Sequence, residues 1–283
     1  MEELRGEAEI ALRDKSKESD KLVHQFTKAG AIDGTITPEA VLGNIFIFVL
    51  AGHESSAATL WLALTMLACK PNFQRALQED IDSIIHGRTV DDLEYPSDYA
   101  KLMNGHVGAL MKEILRQYPV ATFLPKTNPN KNQIINSGGK SYMLPPDTLI
   151  LLNTCAAHRN PKIWPASVKR NMDDAPFPVS NFQPEIWLPL EKNGSDEKSR
   201  FNPPPGGYFP FAEGPRSCMG KVFSQVEFCS TIATILGNNN VALANGPKGA
   251  ADLQEAERAL STGMGFEMGL KMTDPVRLRI EAR

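Results

Sequence analysis

Residues 209–220 read Phe209-Pro210-Phe211-Ala212-Glu213-Gly214-Pro215-Arg216-Ser217-Cys218-Met219-Gly220, and this stretch decides the fold. It sets a cysteine after a turn rich in Gly and Pro. Directly behind it runs an apolar-periodic segment that reads as a strong helix ending near Gly237. A helix start offers unpaired N–H groups and a partial positive charge, and both stabilise a thiolate. Gly214 and Gly220 let the backbone approach where a side chain would obstruct a flat ligand. Arg216, two residues before Cys218, carries the planar fork that grips a carboxylate with two parallel bonds.

The same residues fill every fixed position of the pattern F-x-x-G-x-R-x-C-x-G, with Phe211, Gly214, Arg216, Cys218 and Gly220. The loop thereby resembles the haem-binding loop of cytochromes P-450. That resemblance implies a mainly α cytochrome P-450 fold with a small β-sheet and a meander. It also implies heme b (iron protoporphyrin IX) with an axial thiolate from Cys218 and a propionate on Arg216. An anionic sulfur ligand pushes electron density onto iron and favours O–O cleavage, which is why cysteine rather than histidine is needed.

The remaining cysteines, Cys69, Cys155 and Cys229, sit in apolar surroundings and read as core. There is no CxxC pair, so a structural zinc site is not expected. Cys218 and Cys229 lie eleven residues apart on the same helical stretch, about 16 Å at helical rise, beyond the reach of a disulfide. Reduced thiols in a reducing compartment follow.

Upstream, residues 41–69 form the most apolar segment, divided by Gly52-His53-Glu54-Ser55-Ser56. Thr37 suits the N-cap and Pro38 the first turn of a helix about 30 residues long, running to Pro71. Its length would cross a bilayer, but charge at its centre opposes that, so a helix buried in a globular protein is expected and no membrane span. Ala51-Gly52-His53-Glu54-Ser55 resembles the family's oxygen-activation motif, A-G-x-[D/E]-[S/T]. The resemblance implies that Ala51 and Gly52 leave room for a diatomic ligand while Glu54 and Ser55 pass protons. A local helix distortion is expected there. The family more often has threonine where Ser55 stands, whose methyl fixes the rotamer. His53 is expected to face away from iron.

Glu113 and Arg116, three apart on a helix expected over residues 106–117, share one face among Leu110, Met111, Ile114 and Leu115. The family has this pair as a structural lock. Phe182-Gln183-Pro184-Glu185-Ile186-Trp187 resembles its F-x-P-E-R-W segment, with Ile186 replacing the arginine that completes a triad. Arg170 and Arg200 are candidate substitutes. Lys126 falls where many members place a second propionate contact, and Ala157-His158-Arg159-Asn160-Pro161 with Trp164 also matches the family.

For the rest, residues 1–30 read as polar helix without a signal or anchor, residues 72–85 as helix, and the Asp/Pro/Tyr-rich stretch after it as loop. Residues 122–152 read as a small sheet, 156–215 as an irregular meander and 268–280 as terminal strands. The expectation is one partial domain over residues 1–283, with the resemblance spanning about residues 37–280. It corresponds to roughly the C-terminal half of a family member, so the chain reads as N-terminally truncated. A net charge of −3, with both signs interleaved, excludes a phosphate-binding stripe and hence nucleic acid.

The implied function is a haem-thiolate monooxygenase acting with O2 on an apolar small-molecule substrate. Electrons would come from an NADPH-dependent reductase docking near Lys198, Arg200 and Lys221, and the intact protein would sit at the endoplasmic reticulum membrane. Two other readings stand beside it. A haem-thiolate isomerase or peroxygenase needs no proton relay, and the intact Glu54-Ser55 pair opposes it. The other is a catalytically inactive truncated fragment.

Overall fold

In the computed structural model the described residues are 36–164, 182–189, 201–244, 249–266, 269–274 and 276–283, with Gln25. The polar helix expected over residues 1–30, part of the meander, and Arg170, Lys198 and Arg200 lie outside them. Seven helices are described: α1 (Pro38–Cys69), α2 (Pro71–Ile85), α3 (Tyr95–Asn104), α4 (His106–Gln117), α5 (Thr154–His158), α6 (Lys221–Asn238) and α7 (Gly249–Thr262). Eight short strands accompany them: β1 (Phe123–Thr127), β2 (Gln133–Ser137), β3 (Lys140–Leu144), β4 (Leu149–Asn153), β5 (Asn239–Leu243), β6 (Met264–Phe266), β7 (Leu270–Met272) and β8 (Leu278–Ala282).

The chain divides between Ser55 and Ser56 into two compact units. In the first, the described part is the opening half of α1. Thr37 caps it as its sequence suggests, its hydroxyl accepting the Ala40 N–H at 3.2 Å. Val41 and Ile45 are buried, whereas Leu42, Phe46, Ile47 and Val49 are exposed. The opening half of α1 thus presents several apolar side chains to solvent, while its later turns bury Leu62, Met66 and Leu67. Of the apolar window within Glu39–Cys69, with mean hydropathy 1.4, 17% is buried, and the helix is long and apolar enough to cross a membrane.

The second unit holds the main core. Leu62, Met66 and Leu67 from α1 meet Leu77 and Ile81 from α2, Leu110 and Ile114 from α4, Ile232 and Leu236 from α6 and Leu260 from α7, all almost fully buried. Each such side chain stabilises the fold by about 2 kcal/mol relative to exposure. The strands form four separate antiparallel pairs, β1 with β4, β2 with β3, β5 with β8 and β6 with β7. The stretch expected to form one small sheet thus forms two. Gln74 acts as a surrogate strand for β5: its amide donates to the Val241 carbonyl at 2.9 Å and accepts the Val241 N–H at 2.7 Å.

Two helices differ from the sequence reading. The stretch read as loop contains α3, because Pro96 in its first turn needs no N–H and the buried Asp98 carboxylate accepts the Glu94 N–H at 3.1 Å. Helix α7, for which the sequence reading made no assignment, packs through Ala256, Ala259 and Leu260.

Candidate active site

The cysteine loop is a series of tight turns. Ala212 and Gly214 adopt φ of 57° and 81°, both in the left-handed region. Ala212 N–H donates to Phe209 O at 3.0 Å and Ser217 N–H to Gly214 O at 3.0 Å. The Cys218 N–H reaches back to Phe211 O at 2.8 Å, which fixes the cysteine against the start of its own loop. Gly220 caps α6 on its carbonyl side, accepting the Ser224 N–H at 2.9 Å. A Cβ built at Gly220 would lie 3.8 Å from Cys218 Sγ, whereas one at Gly214 meets nothing within 4 Å among the described residues.

Cys218 is exposed, and so is Arg216. Beside them, Met219, Val222 and Phe223 stand 80%, 52% and 71% exposed at the start of α6. An apolar rim around an exposed cysteine is a surface that a flat apolar ring would cover. Phe223, five residues after the cysteine, was not singled out from sequence, although an aromatic in the first helical turn was the available signal. Of the other cysteines, Cys229 lies in the core and Cys69 is half-buried against it, whereas Cys155 is half-buried outside both core clusters; burial pushes the Cys69 and Cys229 thiols up to about 12 and raises that of Cys155.

Behind the loop, the Glu113 carboxylate is fully buried and satisfied from four side chains and backbones. Oε1 accepts from Arg116 Nη2 at 2.6 Å, Gln117 Nε2 at 2.9 Å and Gln183 N–H at 3.0 Å. Oε2 accepts from Arg116 Nε at 2.7 Å and Trp187 Nε1 at 3.1 Å. The Arg116 guanidinium also lies 5.1 Å from the centre of the Trp164 ring. With Ile186 at the family's arginine position, the donors that this segment supplies to Glu113 among the described residues are the Gln183 backbone N–H and the Trp187 indole. Ile186 itself packs on the cluster of Ala109, Trp164 and Trp187. Sequence spacing does not reveal these donors, which lie about 70 residues from Glu113.

Other expected site residues occupy separate elements. Lys126 is exposed on β1, opposite Ile150 of β4. Ala51, Gly52, Glu54 and Ser55 lie on α1 in the first unit, where a Cβ at Gly52 meets nothing within 4 Å among the described residues. The expected helix distortion is not present. Helix α1 runs unbroken through the motif, and the Ser55 hydroxyl donates to the Ala51 carbonyl at 2.7 Å. A serine inside a helix commonly satisfies itself on the carbonyl one turn back. His53 Nδ1 and Glu54 Oε1 are 4.0 Å apart, both on exposed side chains.

A helical core carrying a cysteine loop and a buried Glu–Arg lock defines a haem-thiolate class of fold. Residues 5–255 match the family model described as Cytochrome P450. The chain belongs to the cytochrome P450 family. It is 29% identical over 217 residues to a cytochrome P450 monooxygenase of Arthrobotrys oligospora, covering 74% of this chain and 36% of the relative. It is 27% identical over 253 residues to cytochrome P450 4c3 of Drosophila melanogaster, covering 89% of this chain and 40% of that protein. A crystal structure of a cytochrome P450, CYP102L1, superposes with a TM-score of 0.70 at 20% identity, over 99% of this chain and 55% of that one. The chain therefore spans roughly two fifths of the curated relatives' length and about half of the solved neighbour.

Membership brings haem with cysteine ligation as the general expectation, and the residues present fit that group. An exposed cysteine, a backbone turned by Gly214, an apolar rim and an exposed guanidinium match a flat apolar ring with carboxylates at its edge.

Proposed function

We propose that this chain is the cysteine-loop half of a haem-thiolate monooxygenase, which inserts one oxygen atom from O2 into an apolar small-molecule substrate. One observation carries the reading: Cys218 stands exposed at the start of α6, held by the Phe211 carbonyl and rimmed by Met219, Val222 and Phe223.

Bound haem would supply redox chemistry at iron, with the sulfur donating electron density toward O–O cleavage. The protein's residues do the rest. Cys218 would bind the iron through its sulfur, and the Cys218 N–H bond to the Phe211 carbonyl holds the residue in place for that role. Arg216 and Lys126 hold carboxylates, and the turned backbone at Gly214 and Gly220 leaves space for the ring. Phe223 and Met219 exclude water from its face. On α1, Ala51 and Gly52 leave room for a small ligand, and Glu54 and Ser55 move protons into that space, Ser55 by turning its hydroxyl away from Ala51. Electrons come from an NADPH-dependent reductase attracted to the exposed Lys221, with Lys198 and Arg200 further candidates. The resemblance to microsomal-type members supports an endoplasmic reticulum membrane location for the intact protein.

Titration of the purified chain with haemin tests this. Saturable one-to-one binding with a thiolate-type spectrum is expected, lost or altered in C218A. An unchanged spectrum in C218A would remove Cys218 from the role.

A second reading, peroxide-driven or rearranging chemistry, draws on the Ser55 hydroxyl being engaged by Ala51. Turnover with peroxide alone, insensitive to Ser55→Ala, would favour it.

A further inference from the structure

Helix α4 ends against a proline. The Leu115 carbonyl would accept from residue 119, but Pro119 has no N–H, so that oxygen has no partner within its own helix. His158, fully buried, fills the gap: its Nδ1 lies 3.2 Å from Leu115 O. On the other side of the ring the Phe209 N–H points at Nε2, 2.8 Å away. These two partners settle the tautomer. A carbonyl only accepts, so Nδ1 carries the proton; a backbone N–H only donates, so Nε2 is bare.

The chain of bonds continues beyond Phe209. Its carbonyl accepts the Ala212 N–H at 3.0 Å, and the Phe211 carbonyl accepts the Cys218 N–H at 2.8 Å. Neighbouring groups hold the same junction. Tyr208 donates to the Lys112 carbonyl at 3.1 Å, and the Arg159 guanidinium caps the Gln117 carbonyl. His158 packs against the Tyr208 and Phe209 rings, with centroids 5.0 and 5.2 Å away. Two adjacent residues, His158 and Arg159, thus complete the end of the helix that carries Glu113 and Arg116. His158 also reaches the cysteine loop, at the Phe209 N–H.

We propose that neutral His158 is a positioning residue for Cys218, linking the carbonyl end of α4 to the entry of the cysteine loop at Phe209. Burial, with smaller contributions from the Arg116 and Arg159 cations, pushes its pKa down to about 4, against the Leu115 hydrogen bond that raises it. The ring is therefore uncharged near neutral pH, as its two partners require. The link to haem chemistry rests on the function proposed above, whereas the positioning itself concerns the protein alone.

Hydrogen exchange on the full chain without haem tests it, comparing the wild type with His158→Phe and His158→Gln. Phenylalanine keeps the ring packing and removes both bonds; glutamine keeps an acceptor for the Phe209 N–H. Peptides covering residues 209–218 should exchange roughly tenfold faster in H158F, as expected for one lost internal hydrogen bond. Peptides from α2 and α6 should be unchanged, and H158Q should stay within about threefold of wild type. Iodoacetamide labelling of Cys218 gives a second readout and should accelerate in H158F alone. Unchanged loop exchange in H158F, or equal loosening in both variants, overturns the proposal. Should H158F fail to fold, H158Q decides: retained loop protection supports the link, and loss contradicts it. Haemin binding is read separately, so failure of the positioning and failure of the haem reading are distinguishable.

Discussion

The Ser56 hydroxyl donates a 2.6 Å hydrogen bond to Glu227 Oε2, joining the C-terminal part of α1 to the helix that follows Cys218. Residue 56 directly follows the Ala51–Ser55 motif, and Glu227 lies nine residues beyond the cysteine. The bond sits partly out of water, where a charged acceptor makes it stronger than a neutral one. Ser56→Ala should cost about 1–2 kcal/mol by urea unfolding. Ser56→Thr, which keeps the hydroxyl, should recover most of that. Equal stability of S56A and wild type would show the bond contributes nothing.

The Glu113 carboxylate should be the least replaceable polar group. Glu113→Ala leaves the Arg116 cation buried at 3% exposure with no counter-charge. A loss of about 3–5 kcal/mol is expected, enough to abolish cooperative folding of a marginal chain. Trp187→Phe removes a single donor and should cost about 1–2 kcal/mol. Denaturant melts by circular dichroism rank the two, and a reversed order would contradict the assignment.

Acid should destabilise the chain in a defined window. The folded pKa of His158 is lowered from 6.5 to about 4, so the unfolded chain takes up the proton first. The stability this provides is present above pH 6.5 and is lost as pH falls through about 4, on the order of 3 kcal/mol in all. His158→Gln should flatten that part of the pH profile. Asp98, held down to about 2 chiefly by the Glu94 N–H, loses its contribution only below its ordinary 3.8. Urea midpoints between pH 7 and 4.5 separate the two, and an identical acid slope in H158Q would exclude His158 as its source.

Thiol chemistry should single out one cysteine. Cys218 is exposed, whereas burial raises the thiols of Cys69, Cys155 and Cys229. Limited iodoacetamide treatment of the native chain should label Cys218 alone by peptide mass, and haemin should protect it. First labelling at Cys229 would contradict the burial described.

Much of this was legible in the sequence because the signals are local. Thr37-Pro38 starts α1, Pro119 ends α4, and the Gly/Pro turn before Cys218 starts α6; each is a property of a few adjacent residues. What stayed hidden depends on residues distant in sequence. The donors to Glu113 come from residues 183 and 187, and the partners of His158 from residues 115 and 209. Neither spacing nor composition reveals such pairings. Helix α3 was hidden by its own composition, since Pro96 and Asp98 are turn residues unless their places in the first turn are recognised. The unbroken α1 at Ser55 was missed because the motif resemblance suggested a distortion that a back-bonded hydroxyl does not need.

The central claim is one bond, between haem iron and Cys218 sulfur. Carbon monoxide added to the reduced, haem-loaded protein, joined to the upstream region its relatives possess, tests it most directly. The expected result is the red-shifted Soret absorption of a thiolate-ligated carbonyl complex, abolished in C218A. A Soret band at the position of nitrogen-ligated haem, or a red-shifted band that survives in C218A, would contradict it.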